Sequence, residues 1–193
     1  MIKEELDFKL WSTKITRFNS AKRLYKWKKF IHISLLIIAI YLVILSVIIF
    51  SGNIKTDALE VANFINICLS IVIFSMGLAI NLNDIEKRAE KQHECGRKIS
   101  KLLNQSKSAE ADIEKIIEEY DKILDNYENH ATIDFYLFCL NQRNRFNSNQ
   151  KDRIPNFLQL WIITPIMNFI IFYILYFAII ITPGLFIWNI LKL

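Results

Sequence analysis

Helix breakers are scarce in this chain, with four Gly and three Pro among 193 residues. Charge is missing altogether from three long stretches. No Asp, Glu, Lys or Arg occurs between Lys29 and Lys55, between Glu60 and Asp84, or between Arg153 and Lys192, gaps of 25, 23 and 38 residues. A helix needs about 20 apolar residues to cross a hydrocarbon core of about 30 Å. All three gaps are long enough, which excludes a soluble domain and implies an integral membrane protein. The first run begins near Phe30, behind a long charged segment and without a small-residue cleavage site, so it reads as a retained span rather than a signal peptide.

Cysteine is sparse as well. Cys68, Cys95 and Cys139 are odd in number and widely spaced. They make no disulfide framework and no CxxC metal site, which fits a reducing compartment for the soluble part. A Gly-rich phosphate loop, GxSxG and HExxH are all absent. "EKQHEC" sets Glu90 and His93 one turn apart, the Glu-x-x-His spacing of di-iron bundles, but a second motif and further Glu ligands are missing. That pair reads as a solvated helix face. His32 and His130 pair with no obvious Cys or Ser. No Asp, Glu, Lys or Arg lies inside the three charge-free runs, so a proton relay or coupled transporter lacks its usual parts. The expectation is a protein without catalysis, cofactor or metal.

The net charge of +5 is uneven. Residues 1–30 carry nine Lys/Arg against three acids, whereas residues 84–153 carry thirteen bases and fourteen acids. A basic segment ending in "KRLYKWKK" just before a span is first a topology signal and a contact for anionic lipid. Lys22, Arg23, Lys26, Lys28 and Lys29 are the residues in that role. The adjoining bilayer accounts for this charge without nucleic acid.

The pattern predicts an all-α membrane protein in four parts: residues 1–29, a basic amphipathic cytosolic helix; 30–82, a two-span hairpin; 83–156, a cytosolic helical region; and 157–193, a C-terminal hydrophobic segment. Trp11, Ile15 and Phe18 mark the apolar side of the first helix, which runs without Pro or Gly into a span at about Phe30–Phe50. "SGNIKTDALE" is a tight turn, and the second span covers about Asp57–Leu82. Bases cluster at both open ends of the hairpin (Lys87, Arg88, Lys91, Arg97, Lys98 and Lys101 at the far one), so both ends are expected in the cytoplasm.

Residues 84–128 read as helix, with a heptad seam at Ile113, Ile117, Tyr120, Leu124 and Tyr127. "NQSKSAEAD" interrupts it, with Ser106 and Ser108 as possible starts of a new helix. "NQRNRFNSNQKDRIPN" (Asn141–Asn156) reads as a loop. The last apolar run is too long for one span, and "TPG" supplies a break. A third span at about Phe157–Ile181 is expected, with an interfacial tail anchored by Trp188; a re-entrant or surface-lying segment is the alternative.

The second span carries unusual polarity. At about 100° per residue, Asn63, Asn66, Ser70, Gly77 and Asn81 fall within an arc of roughly 60°, with Phe74 on its edge. Two readings compete. Small and polar residues let helices approach and hydrogen-bond; alternatively, copies of the helix surround an axis, the stripe lines a polar path, and Phe74 is a hydrophobic gate closed by dewetting. A subunit with two or three spans cannot enclose a channel alone, so the second reading requires a homo-oligomer, for which the heptad seam is one means. That seam could also pack on the N-terminal helix of its own chain.

The order of parts resembles the SLATT family of two-transmembrane effector domains. "ITRFNSAKRLYKWKKFIHISLLIIAIYLVIL" (Ile15–Leu45) carries a basic helix into the first span, with Ser34 near its start. "NFINICLSIVIFSMGLAINLNDIEKRAEKQHECGRKISKLL" (Asn63–Leu103) passes from the second span into a charged helix with Ala89, His93 and Cys95. The resemblance implies an inner-membrane effector of bacterial antiphage defence, triggered by an operon-encoded sensor such as a nucleotide-signalling enzyme or a reverse transcriptase, and permeabilising the infected cell. The third hydrophobic run departs from a bare two-span plan. The rival expectation is a membrane-anchored helical interaction module that recruits a soluble partner.

Overall fold

The computed structural model describes residues 2–52, 56–108, 110–146 and 155–156, together with Ile174, Phe177, Ile181, Gly184, Leu185 and Trp188. Among the described residues, α-helices follow in order as α1 (Ile2–Phe50), α2 (Thr56–Asn83), α3 (Ile85–Ser106), α4 (Ile113–Asp125) and α5 (Thr132–Gln142), with a 3-10 turn at Arg143–Arg145. The described residues contain no strand.

Helix α1 runs unbroken for 49 residues, because nothing between Ile2 and Phe50 lacks an N–H or relaxes the backbone. It stops at Ser51–Gly52. There the Ser51 hydroxyl donates to Ile48 O at 2.7 Å, and Gly52 takes φ +69°, a left-handed value that favours glycine. Helix α2 ends on Asp84 at φ 44°, and Asp is among the few L-residues that tolerate this conformation. The helical stretch expected over 84–128, with its interruption at "NQSKSAEAD", is two helices, α3 and α4, with breaks at Asp84 and after Ser106. The second break falls where "NQSKSAEAD" placed it, but the cap is Asp112, whose Oδ1 accepts from Lys115 N at 3.2 Å. Ser106 and Ser108 start nothing; Ser106 is fully buried at the end of α3, donating to Asp7 and to Leu103 O.

The chain divides into two compact units. The first comprises Met1–Lys26 and Ile85–Asn168. Its core is a layer of Leu6, Leu10, Cys95, Ile99, Leu102, Leu103, Ile116 and Tyr120, from α1, α3 and α4. On the other side of α1, Phe8, Phe138, Cys139 and Phe146 form an aromatic cluster. Trp11 packs against both, its ring centroid 4.9 Å from Phe138 and 6.0 Å from Phe146. This cluster explains why the expected loop at Asn141–Asn156 begins as helix. Buried Phe146 stacks edge-on with Phe8 at 5.7 Å, which holds the end of α5 and the 3-10 turn against α1.

The second unit comprises Trp27–Asp84 and Phe169–Leu193. Here α1 and α2 meet along Leu45 and Ala62, both buried, with Ile48, Ile49 and Ile65 packed around them. Most other apolar side chains point outward, and both helices are long and apolar enough to cross a membrane. In a soluble protein such helices would be covered; here Phe50 is 93% exposed and Phe64 67%, which suits acyl chains. The third span expected at Phe157–Ile181 lies almost wholly outside the described residues. The six described positions from Ile174 to Trp188 are helical, and a Cβ added at Gly184 would stand 3.2 Å from the Tyr41 hydroxyl oxygen.

Candidate functional site

The polar stripe of α2 does not coincide with the contact between α1 and α2. Taking Ala62 as the reference and about 100° per residue, Ile65, Leu69, Ile73 and Met76 lie within roughly 60° of it. All are partly covered and form the hairpin seam. Asn63, Ser70 and Phe74 sit about 80–120° round the wheel and are exposed, Phe74 to 67%. Gly77 lies between the two sets, and a Cβ placed on it would meet nothing within 4 Å. Asn81 is helical; its side chain lies outside the described residues. The stripe is thus a flank beside the seam, exposed at Asn63, Ser70 and Phe74.

Asn66 is the exception. It stands on the border between seam and flank, and its Nδ2 donates to Ser46 Oγ of α1 at 3.3 Å. Ser46 donates in turn to Leu42 O at 2.8 Å. The Asn66 Oδ1 is buried and has no donor. Ser70 donates to Asn66 O on its own helix at 2.8 Å. On a helical wheel of α1, Ser34 and Tyr41 share a face and Ser46 lies about 120° from Ser34, so α1 alone does not single it out. Only the pairing of the two helices brings it to Asn66.

A family model for "SMODS and SLOG-associating 2TM effector domain family 5" matches residues 2–188. The chain belongs to this family. It is a membrane effector domain with two candidate spans among the described residues. No curated protein and no solved structure matches it.

In this family 5 chain the soluble unit uses the expected residues in ways of its own. The seam of α4 is covered within the chain: Tyr120 is buried, while Ile113, Ile117, Leu124 and Tyr127 pack against the first core layer. The covered face is wider than the heptad line and extends about 60–80° to one side of it, to Ile116, which is buried, and Ile123. The Tyr120 hydroxyl shares a 2.9 Å hydrogen bond with Thr13 of α1. Of the five juxtamembrane bases, Lys22, Lys26 and Lys29 are exposed and Lys28 is partly covered. Arg23 is committed inward, making a bidentate pair with fully buried Asp134 at 2.8 and 2.9 Å. It therefore serves packing of α5 on α1 rather than lipid, because a carboxylate with no access to water requires a fixed cation. Asp134 also accepts from Ala131 N at 3.2 Å, closing the start of α5.

A second arginine is buried. The Arg17 Nη1 donates to Gln92 Oε1 at 2.9 Å and to the Glu128 carbonyl, while Gln92 Nε2 donates to the same carbonyl at 2.9 Å. These contacts pin the α4–α5 connection to α1. Cys95 and Cys139 are buried and unpaired. Burial raises both thiols, Cys139 to about 11, so at neutral pH neither is a thiolate nucleophile. Glu90 and His93 are exposed on α3, with the His93 ring beside Phe18 at 5.2 Å.

Proposed function

We propose that this chain is an inner-membrane effector of bacterial defence that oligomerises into a regulated pore lined by the polar flank of α2. Asn63, Asn66, Ser70, Gly77 and Asn81 line the path and Phe74 closes it by dewetting. The residues 84–146 region and the N-terminus lie in the cytoplasm, where bases flank both open ends of the hairpin. The trigger comes from an operon-encoded sensor, a nucleotide-signalling enzyme or a reverse transcriptase; nucleic acid is not bound directly, and no reaction is catalysed.

The observation that carries this reading is the exposure of Asn63, Ser70 and Phe74 on one flank of a charge-free span, beside the hairpin seam rather than inside it. Amides and hydroxyls facing acyl chains are costly. A neighbouring copy or a water column removes that cost. The soluble unit directs the search for the assembly contact to the spans, since its heptad residues are already used internally.

The Ser46–Asn66 hydrogen bond favours a second reading, in which the polar residues only tie the hairpin together and the spans anchor an interaction module. Inducible expression in bacteria with a membrane-potential dye separates the two. Under the pore reading the wild-type chain, with its operon neighbours, depolarises cells, and Asn63→Leu with Ser70→Leu does not. Equal depolarisation by that double variant at matched membrane levels rejects the lining role.

A further inference from the structure

We infer that Ser46 of α1 is a positioning residue for the lining face, holding Asn66 in the hairpin seam when the pore is closed and releasing it to the flank when the pore opens. This rests on the pore reading above. The argument starts from donor and acceptor counts. An Asn side chain offers two N–H donors and one carbonyl acceptor, and a Ser hydroxyl offers a single O–H. The Ser46 O–H is already donated to Leu42 O at 2.8 Å. Toward Asn66 it can act only as an acceptor, and it does so for Nδ2 at 3.3 Å.

That arrangement fixes the amide with its nitrogen at Ser46 and its oxygen turned away. The oxygen, Asn66 Oδ1, is then buried without any donor. In hydrocarbon no solvent makes up the loss, and an unmet polar atom there is strongly disfavoured. The seam position is therefore satisfied at one end of the amide only.

The flank offers the other end a partner. Asn66 lies about 60° from the centre of the seam and about 60° from the centre of the polar flank, midway between them, so a change of side-chain rotamer, without rotation of α2, carries it across. Asn63 and Ser70 flank it at i−3 and i+4, one turn away on either side, and both are exposed. On that side water or a neighbouring copy hydrates both ends of the amide. Two discrete positions follow, one biased by Ser46 and the other by a wet flank, as a switching element requires.

The test uses the full chain in vesicles of phosphatidylethanolamine and phosphatidylglycerol, reading ion leak per unit of inserted protein. Removing an interhelical hydrogen bond worth about 0.6 kcal/mol shifts a two-state balance about threefold. Ser46→Ala is expected to raise the leak about threefold, Ser46→Thr to keep the wild-type level, and Ser46→Ala with Asn66→Leu to lose the increase. Leu45→Ala, which loosens the same seam apolarly, is expected to leave the leak unchanged. The proposal is overturned if Ser46→Ala matches wild type, if Ser46→Thr leaks like Ser46→Ala, if the increase survives Asn66→Leu, or if Leu45→Ala leaks equally. Its failure is distinguishable from failure of the pore reading. A normal leak in Asn63→Leu with Ser70→Leu removes the pore, whereas a reduced leak there with Ser46→Ala at the wild-type level removes only the Ser46 role.

Discussion

Phe138, in the first unit, is fully buried, whereas Phe74, in the second, is 67% exposed. The same contrast runs through both units. Apart from Tyr25 at the end of the first unit, the large apolar residues that are exposed among those described all belong to the second. One unit is a small water-soluble core around the N-terminal half of α1, stabilised by burying its own side chains. The other keeps its apolar surface outward and few side chains inward, so its solvent is the bilayer. A polar residue consequently means opposite things in the two places. The Asn63 amide exposed on α2 asks for water or a partner, while Asp134 and the Arg17 Nη1, buried in the soluble core, are already met by partners far along the chain.

Truncation breaks the comparison most sharply. Phe138→Ala is expected to destabilise the soluble unit by about 4 kcal/mol, read by denaturant melting of its aromatic near-ultraviolet signal in detergent. Phe74→Ala should leave that transition where it was. A comparable loss from Phe74→Ala would mean that the second unit has a packed core after all. Next in size is Arg23→Ala, which leaves Asp134 buried and uncompensated at a cost of about 3 kcal/mol. Replacing both partners with Met and Leu should recover most of it. If Arg23 served lipid instead, its loss would weaken liposome binding and leave melting unchanged.

Gly96 offers a smaller effect. A Cβ there would stand 3.0 Å from the Phe18 ring, so Gly96→Val is expected to cost about 2 kcal/mol through overpacking, whereas Gly77→Val, in open space on α2, should not shift the same melt. The smallest effect depends on pH. Burial lowers the pKa of His130 from its ordinary 6.5, opposed by its hydrogen bond to the Ala131 carbonyl. The unfolded chain then binds the proton more readily, so this contribution is fully present above about pH 6.5 and is lost as pH falls through the lowered value. His130→Gln should flatten that part of the acid limb of the melting curve. No flattening would show that His130 is solvated.

Much of the helix inventory was legible in the sequence because it depends on local properties. An absence of charge over a membrane's thickness marks a span whatever its neighbours do, and Ser51–Gly52 ends a helix through its own backbone. The break after Ser106 was legible for the same reason, although its cap was not. Ser106 is a good capping residue in isolation, but Asp7, 99 positions away, takes its hydroxyl. The heptad residues of α4 pack in one cluster with α1 and α3, and the buried positions there include Ile116, off the heptad line, because two neighbouring helices set that face. The site residues divide similarly. The clustering of Asn63, Asn66, Ser70 and Gly77 on one side is a property of helical spacing; which of them touches α1 is not.

By itself the sequence determined that the chain is helical, that two charge-free helices are fit to cross a bilayer, and that α2 has a wetter side, since each follows from residue chemistry repeated at a helical period. Tertiary structure alone decided that Arg23 belongs to Asp134, that Arg17 pins the Glu128 carbonyl, and that Ser46 holds Asn66. Those pairings join residues 20 to 111 positions apart, and a helix wheel carries no information about which face of another helix will meet it.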